Sequence, residues 1–154
     1  LVTGVQTCAL PISAMTAASW ALQRSIYQTL SNAPALTSLL GGAEIYSKPP
    51  QGQVLPYMTL GQTVNSDWST GTEAGTEHDL TLHVWTSADS ADKVHEIMDT
   101  VTTLLHDRPL SVEGHYLANL RHEFAEARID PDGETMHGIV RYRAVTEPLQ
   151  QVAA

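Results

Sequence analysis

The chain has 154 residues, 42% of them hydrophobic, with 17 acidic against eight basic residues and a net charge of −9. That length gives room for one ordinary domain, and the composition excludes a disordered tail or a low-complexity linker. Excess carboxylate repels phosphate backbones, which argues against general nucleic-acid binding, and no uncharged apolar run approaches the ~20 residues of a bilayer span. Cys8 is the one cysteine, so no internal disulfide forms, in keeping with a reducing compartment.

Residues 1–14 (LVTGVQTCALPISA) hold no charged side chain. They lack the basic residues that precede the apolar centre of a secretory signal. Val5-Gln6-Thr7 is not the small-residue pattern expected before a lipidated cysteine. The string resembles translated sequencing-adapter sequence. We expect a non-native or disordered segment over 1–14, a natural start at Met15, one domain over 15–148 and a tail over 149–154.

From residue 16 to 31, Ala18, Leu22, Ile26 and Leu30 recur every four positions, the mark of one buried helical face. Asn32-Ala33-Pro34 restarts a short helix whose Leu36, Leu39 and Leu40 share a face, and Gly41-Gly42 stops it. Ile45-Tyr46 reads as a short edge strand before Pro49-Pro50 breaks any ladder. Residues 57–64 read as a strand and the polar stretch 65–76, with Gly71 and Gly75, as a long mobile loop. In the strand 77–86, Leu80, Leu82 and Val84 point one way and Asp79, Thr81 and His83 the other.

Ser90 is the expected N-cap of the next helix, with Asp89 and Asp92 near its positive end. That helix carries Val94, Ile97, Met98, Val101, Leu104 and Leu105 at amphipathic spacing and is expected to cover the sheet. Asp132-Gly133 between two extended runs, 116–129 and 135–146, predicts a β-hairpin. The order of elements gives a single α+β domain. Its sheet is mainly antiparallel, packed by one long amphipathic helix and by the N-terminal helices.

Motifs for chemistry are scarce. Seven histidines (His78, His83, His95, His106, His115, His122 and His137) include no His-x-x-x-His pair, and Cys8 has no second thiol, so no metal site is expected. There is no Gly-x-Ser-x-Gly elbow and no phosphate-binding glycine loop. Glu77 and Asp79 share one side of a strand and, with His83, would suit a small hydrolase or ligand-binding site only if a deep pocket held all three.

Charge placement says more. Residues 67–107 hold nine acids and only Lys93 as a base, so they carry eight of the nine net negative charges. Arg121, Arg128, Arg141 and Arg143 lie on the C-terminal hairpin. Two readings stand level. The arginines pair within the chain, with Glu123 and Glu126, at about 0–1 kcal/mol for each exposed pair. Alternatively they meet the acidic region of a neighbouring copy, a head-to-tail contact that closes into a ring where the rotation permits. On the second reading Glu77, Asp79 and His83 join the four arginines at a subunit interface.

From about Trp20 to Pro148 the chain resembles the tail-completion, or tail-terminator, proteins of long-tailed phages, prophages and gene transfer agents. The residues that carry the resemblance are LQRSIY (22–27), LLG (39–41), IY (45–46), PYMTLG (56–61), HDLTLHVW (78–85) and DPDGETMHGIVRYRAVTEP (130–148), in that order and spacing.

The resemblance implies a structural virion protein with no catalytic residue, no cofactor and no metal. Its partners would be further copies of itself in a ring, commonly of six, a tail-tube protein and a head–tail connector protein. The ring would sit on the head-proximal end of the tail, assembled in a bacterial host cytoplasm. It would end tube polymerisation, with DNA passing through and no sequence-specific nucleic-acid or membrane contact. Asp67, Trp68 and Glu73 are the expected tube contacts. Another ring of the same joint, an adaptor or stopper, is the alternative.

Overall fold

The computed structural model of the chain describes residues 18–149. The expectations for 1–14 and for most of 149–154 therefore lie outside the described residues. The first helix, α1, is described over 18–31, and its Ala18, Leu22, Ile26 and Leu30 are all buried, as the four-residue spacing predicts. α2 (Pro34–Leu40) has its proline in the first turn and ends at Gly41 in the left-handed conformation, where the Gly41 N–H donates to the Thr37 carbonyl. Leu36 and Leu40 are buried, and Leu39 packs on the rim of the core.

Five strands follow: β1 (Ile45–Tyr46), β2 (Tyr57–Asp67), β3 (Thr76–Ser87), β4 (His115–Ile129) and β5 (Thr135–Pro148). A 3-10 turn (Ala88–Ser90) leads from β3 into the long helix α3 (Ala91–Leu105). The sheet order is β1-β2-β3-β5-β4. β1 runs parallel to β2, and every other neighbouring pair is antiparallel. This is the expected α+β domain. No described helix is long and apolar enough to cross a membrane.

One core joins the helices to one face of the sheet. Val94, Ile97, Met98, Val101 and Leu105 of α3 are buried together with Leu80, Leu82, Val84, Val140, Tyr142 and Ala144. The spacing of the α3 residues turns one side of the helix to the sheet, and strand alternation supplies the matching surface. Gly138 lets the two layers approach: a Cβ there would lie 2.8 Å from both Met98 Sδ and Val94 Cγ2. Tyr142 is buried with its hydroxyl 2.8 Å from that of Thr102, and burial pushes its phenol up to about 12.

Three expectations change. The stretch 65–76 is not a long loop, because β2 runs on to Asp67 and β3 begins at Thr76, leaving 68–75 as the connection. Asn65, Ser66 and Asp67 pair in register with His78, Glu77 and Thr76, since a backbone ladder needs no apolar side chains. The connection is itself tied: the Trp68 N–H donates to the Gly75 carbonyl at 2.9 Å and the Thr70 N–H to the Glu73 carbonyl at 2.8 Å. Ser90 stands at the N-cap position of α3 but makes no side-chain cap bond; Ser87 does the capping one turn earlier, accepting from the Asp89 N–H. Leu104 packs at the rim of the core and is only half-buried.

Candidate functional site

The sheet face away from the described helices is where the expected interface residues gather. Alternation along β3 sends Glu77, Asp79, Thr81, His83 and Trp85 to this face, each half-buried, while their neighbours enter the core. β5 lies directly beside β3, with Asp79 opposite Arg143 and Thr81 opposite Arg141. On the far side, β4 sets Arg121 opposite Arg143, Phe124 opposite Arg141 and Arg128 opposite His137. The acidic strand and the arginine hairpin, far apart in sequence, are therefore adjacent in one sheet.

Three of the four arginines have a partner within the chain, one of them, Arg143, through that adjacency. Arg143 Nε donates to Glu77 Oε2, and its guanidinium lies 4.8 Å above the Trp68 ring. Arg128 pairs with Glu126 at 3.2 Å, and Arg121 reaches Asp107 at 3.7 Å, both on the surface. Of these partners the sequence reading named only Glu126. Among the described residues Arg141 makes no ion pair; its guanidinium sits 5.2 Å above the Phe124 ring.

Arg143 and Arg141 should respond differently to charge reversal. Arg143→Glu removes a sheltered, charge-assisted bond and sets a second carboxylate beside Glu77, so it should cost about 1.5–3 kcal/mol of stability in chemical denaturation. Arg141→Glu should stay within about 0.5 kcal/mol of the parent, as surface changes do. Equal losses would mean that both arginines are used within the chain.

His83 lies half-buried on this face, with its Nδ1 2.8 Å from His137 Nε2. His137 stacks on Trp85 with ring centroids 3.8 Å apart at 10°, and Tyr57 stacks on Trp85 from β2 at 6.2 Å. The His83 ring lies against Gly61, where a Cβ would come within 2.7 Å of it. Burial lowers the pKa of both histidines, with Arg128 adding to the effect at each and His83 also acting on His137. Both imidazoles are therefore neutral at neutral pH. The partnership of His83 with His137 was not visible in the sequence, since only the β3–β5 register, with Trp85 opposite His137, brings them together.

Among the described residues Glu77, Asp79 and His83 do not line one common pocket. A shallow depression of about 360 Å³ on this face is lined by Gln62, Val64, Asp79, Thr81, Glu123 and Arg141. Glu77 is tied to Arg143 and His83 to His137, so the three do not converge on one volume. Among the described residues no group of three or more His, Cys, Asp or Glu side chains is arranged to hold a metal ion.

Asp67, Trp68 and Glu73 cluster at the tip of the β2–β3 hairpin. Asp67 Oδ1 accepts from the Ser69 hydroxyl at 2.6 Å, and Trp68 is 51% exposed beneath Arg143. The β4–β5 turn lies at the opposite end of the sheet, because Thr76 pairs with Thr146 and Ser87 with Thr135. The domain thus presents one acidic hairpin tip at each end of an open-faced sheet.

Comparison with known proteins decides what kind of molecule this is. The family described as tail completion protein gp17 matches residues 24–147, most of the chain. The chain belongs to that family. Tail completion protein gp17 of Bacillus phage SPP1 is 26% identical over 126 residues, which covers 82% of this chain and 92% of that protein. A chain in the virion of a native gene transfer agent particle superposes with a TM-score of 0.78 at 27% identity, covering 84% of this chain and 97% of that one. The tail completion family is structural, and membership gives this chain a structural role in a tail of a phage or gene transfer agent.

Proposed function

We propose that this tail completion chain forms a ring of six on the head-proximal end of a finished tail tube. There it stops further addition of tube subunits and presents the surface to which the head connector binds. The observation that carries the proposal is the likeness to a gene transfer agent virion chain over 97% of that chain's length. A shared fold over nearly the whole of a virion chain, at 27% identity, supports a like use here.

The geometry is in keeping with this reading. A ring between tube and connector needs two opposite contact ends, and the sheet carries a hairpin tip at each. The tip with Asp67, Trp68 and Glu73 is the tube contact on this account. The open face, where Arg141 is left without a carboxylate, belongs to the boundary between subunits, together with Arg121, Arg128, Arg143, Glu77, Asp79 and His83. DNA passes through the ring without base-specific contact, and assembly takes place in the host cytoplasm.

Gold-labelled antibody against the chain tests the position. Purified tails should carry label at the head-proximal end alone. Label along the tube, or at the far tip, would contradict the proposal.

A further inference from the structure

The two outer edges of the sheet are unequal and both are incompletely paired. β1 covers only Met58 and Thr59 of β2, so among the described residues no strand lies beside residues 61–67 on that side. At the other edge β4 runs for 15 residues. Its backbone near the helix is occupied: the Asp107 N–H donates to the Leu120 carbonyl at 2.8 Å, and the His122 N–H donates to His106 Nδ1 at 2.9 Å. Beyond the bulge between His122 and Phe124, no described strand flanks residues 123–129. A strand edge of this kind is a template for a further strand unless something blocks it.

We infer that the sheet continues from one copy of the chain to the next, the 123–129 edge of β4 pairing with the 61–67 edge of β2 in a second copy. This rests on the ring reading above and names the contact that closes the ring. The two free stretches have equal length. β2, β3, β5 and β4 alternate in direction, so a β2 set beside β4 runs antiparallel, the stronger pairing. Because the register holds residues 123–129 level with 57–63, the second copy is also shifted along the strands by roughly four residues, which carries it past β1.

Among the polar side chains of these edges stand three exposed apolar ones: Val64, 46% exposed, on one, and Phe124 and Ile129, 40% and 61% exposed, on the other. Strand addition would bury them while satisfying the unpaired backbone groups. Because the two edges differ, the contact is heterologous and extends from copy to copy until it closes.

Cross-linking tests this. Val64→Cys and Phe124→Cys, together in a Cys8→Ser background, are placed in tails purified from cells that express the chain with its tube protein, and a short bis-maleimide is added. The double variant should give a ladder of covalent multimers up to the full ring, and each single variant only monomer. Circular dichroism confirms that the variants fold. Tails that carry the chain at one end but yield only monomer from the double variant would overturn the sheet continuation and leave the ring reading standing. Dimers from a single variant would show like edges meeting and also overturn it. Tails without the chain at either end would overturn both.

Discussion

Ile97→Ala should lower the free energy of unfolding by about 2–5 kcal/mol, the usual result of removing a buried aliphatic side chain from a packed layer. Ile97 lies in the middle of α3 at 0% exposure, within the cluster that joins the helix to β3 and β5. The sheet residues of that cluster, Leu82, Val84 and Val140 among them, are held by a paired sheet and cannot collapse far. Leu104→Ala is the control. Its half-buried position at the rim should reduce the loss to about 1 kcal/mol, near the average for point changes. Urea denaturation reads both. A loss below about 1 kcal/mol for Ile97→Ala would contradict the two-layer packing.

Acid should destabilise the protein through buried neutral histidine. His78 is 0% exposed, and burial, with His115 adding a smaller effect, lowers its pKa from 6.5 to about 4. Its Nδ1 lies 2.6 Å from Asn65 Oδ1 and its Nε2 lies 2.9 Å from Thr146 Oγ1. The amide oxygen only accepts, which puts the proton on Nδ1 and leaves Nε2 to accept from the threonine hydroxyl. A charged ring would lose that acceptor.

Well above pH 6.5 the ring is neutral whether the chain is folded or not, and its contribution is complete. As pH falls, the unfolded chain takes up the proton first, so stability drops between about pH 6.5 and about pH 4, by on the order of 3 kcal/mol. His83 and His137, also lowered by burial, act in the same direction. The denaturation midpoint should therefore fall steeply over this window, and His78→Gln should flatten part of the slope. A flat profile in the parent would show that these rings are not buried as neutral groups.

Periodicity made most of the fold legible. The i, i+3, i+4 pattern of α3 and the strict alternation of β3 each state which side is buried, and both sides are as the sequence requires. Asp132-Gly133 likewise marked the β4–β5 hairpin. The β2–β3 connection was misread because its strand ends are polar. Asn65, Ser66 and Asp67 face a ladder partner and partly solvent, so neither alternation nor hydrophobicity signals them.

The open face was half legible. Residue types and charge polarity pointed to Arg121, Arg128, Arg141, Arg143, Glu77, Asp79 and His83. What joins them depends on β5 lying between β3 and β4, a pairing across more than sixty residues of separation in sequence for Glu77 and Arg143. No local pattern encodes that order. It decides that Arg143 is paired within the chain and that Arg141 is not.

Deleting the gene for this chain from a strain that produces the particle, and imaging the lysate by electron microscopy, tests the central claim most directly. If the chain ends the tube and joins it to the head, the lysate should contain tails of uncontrolled length and filled heads without tails, and supplying the chain from a plasmid should restore whole particles. Tails of normal length joined to heads in the deletion strain would contradict the account.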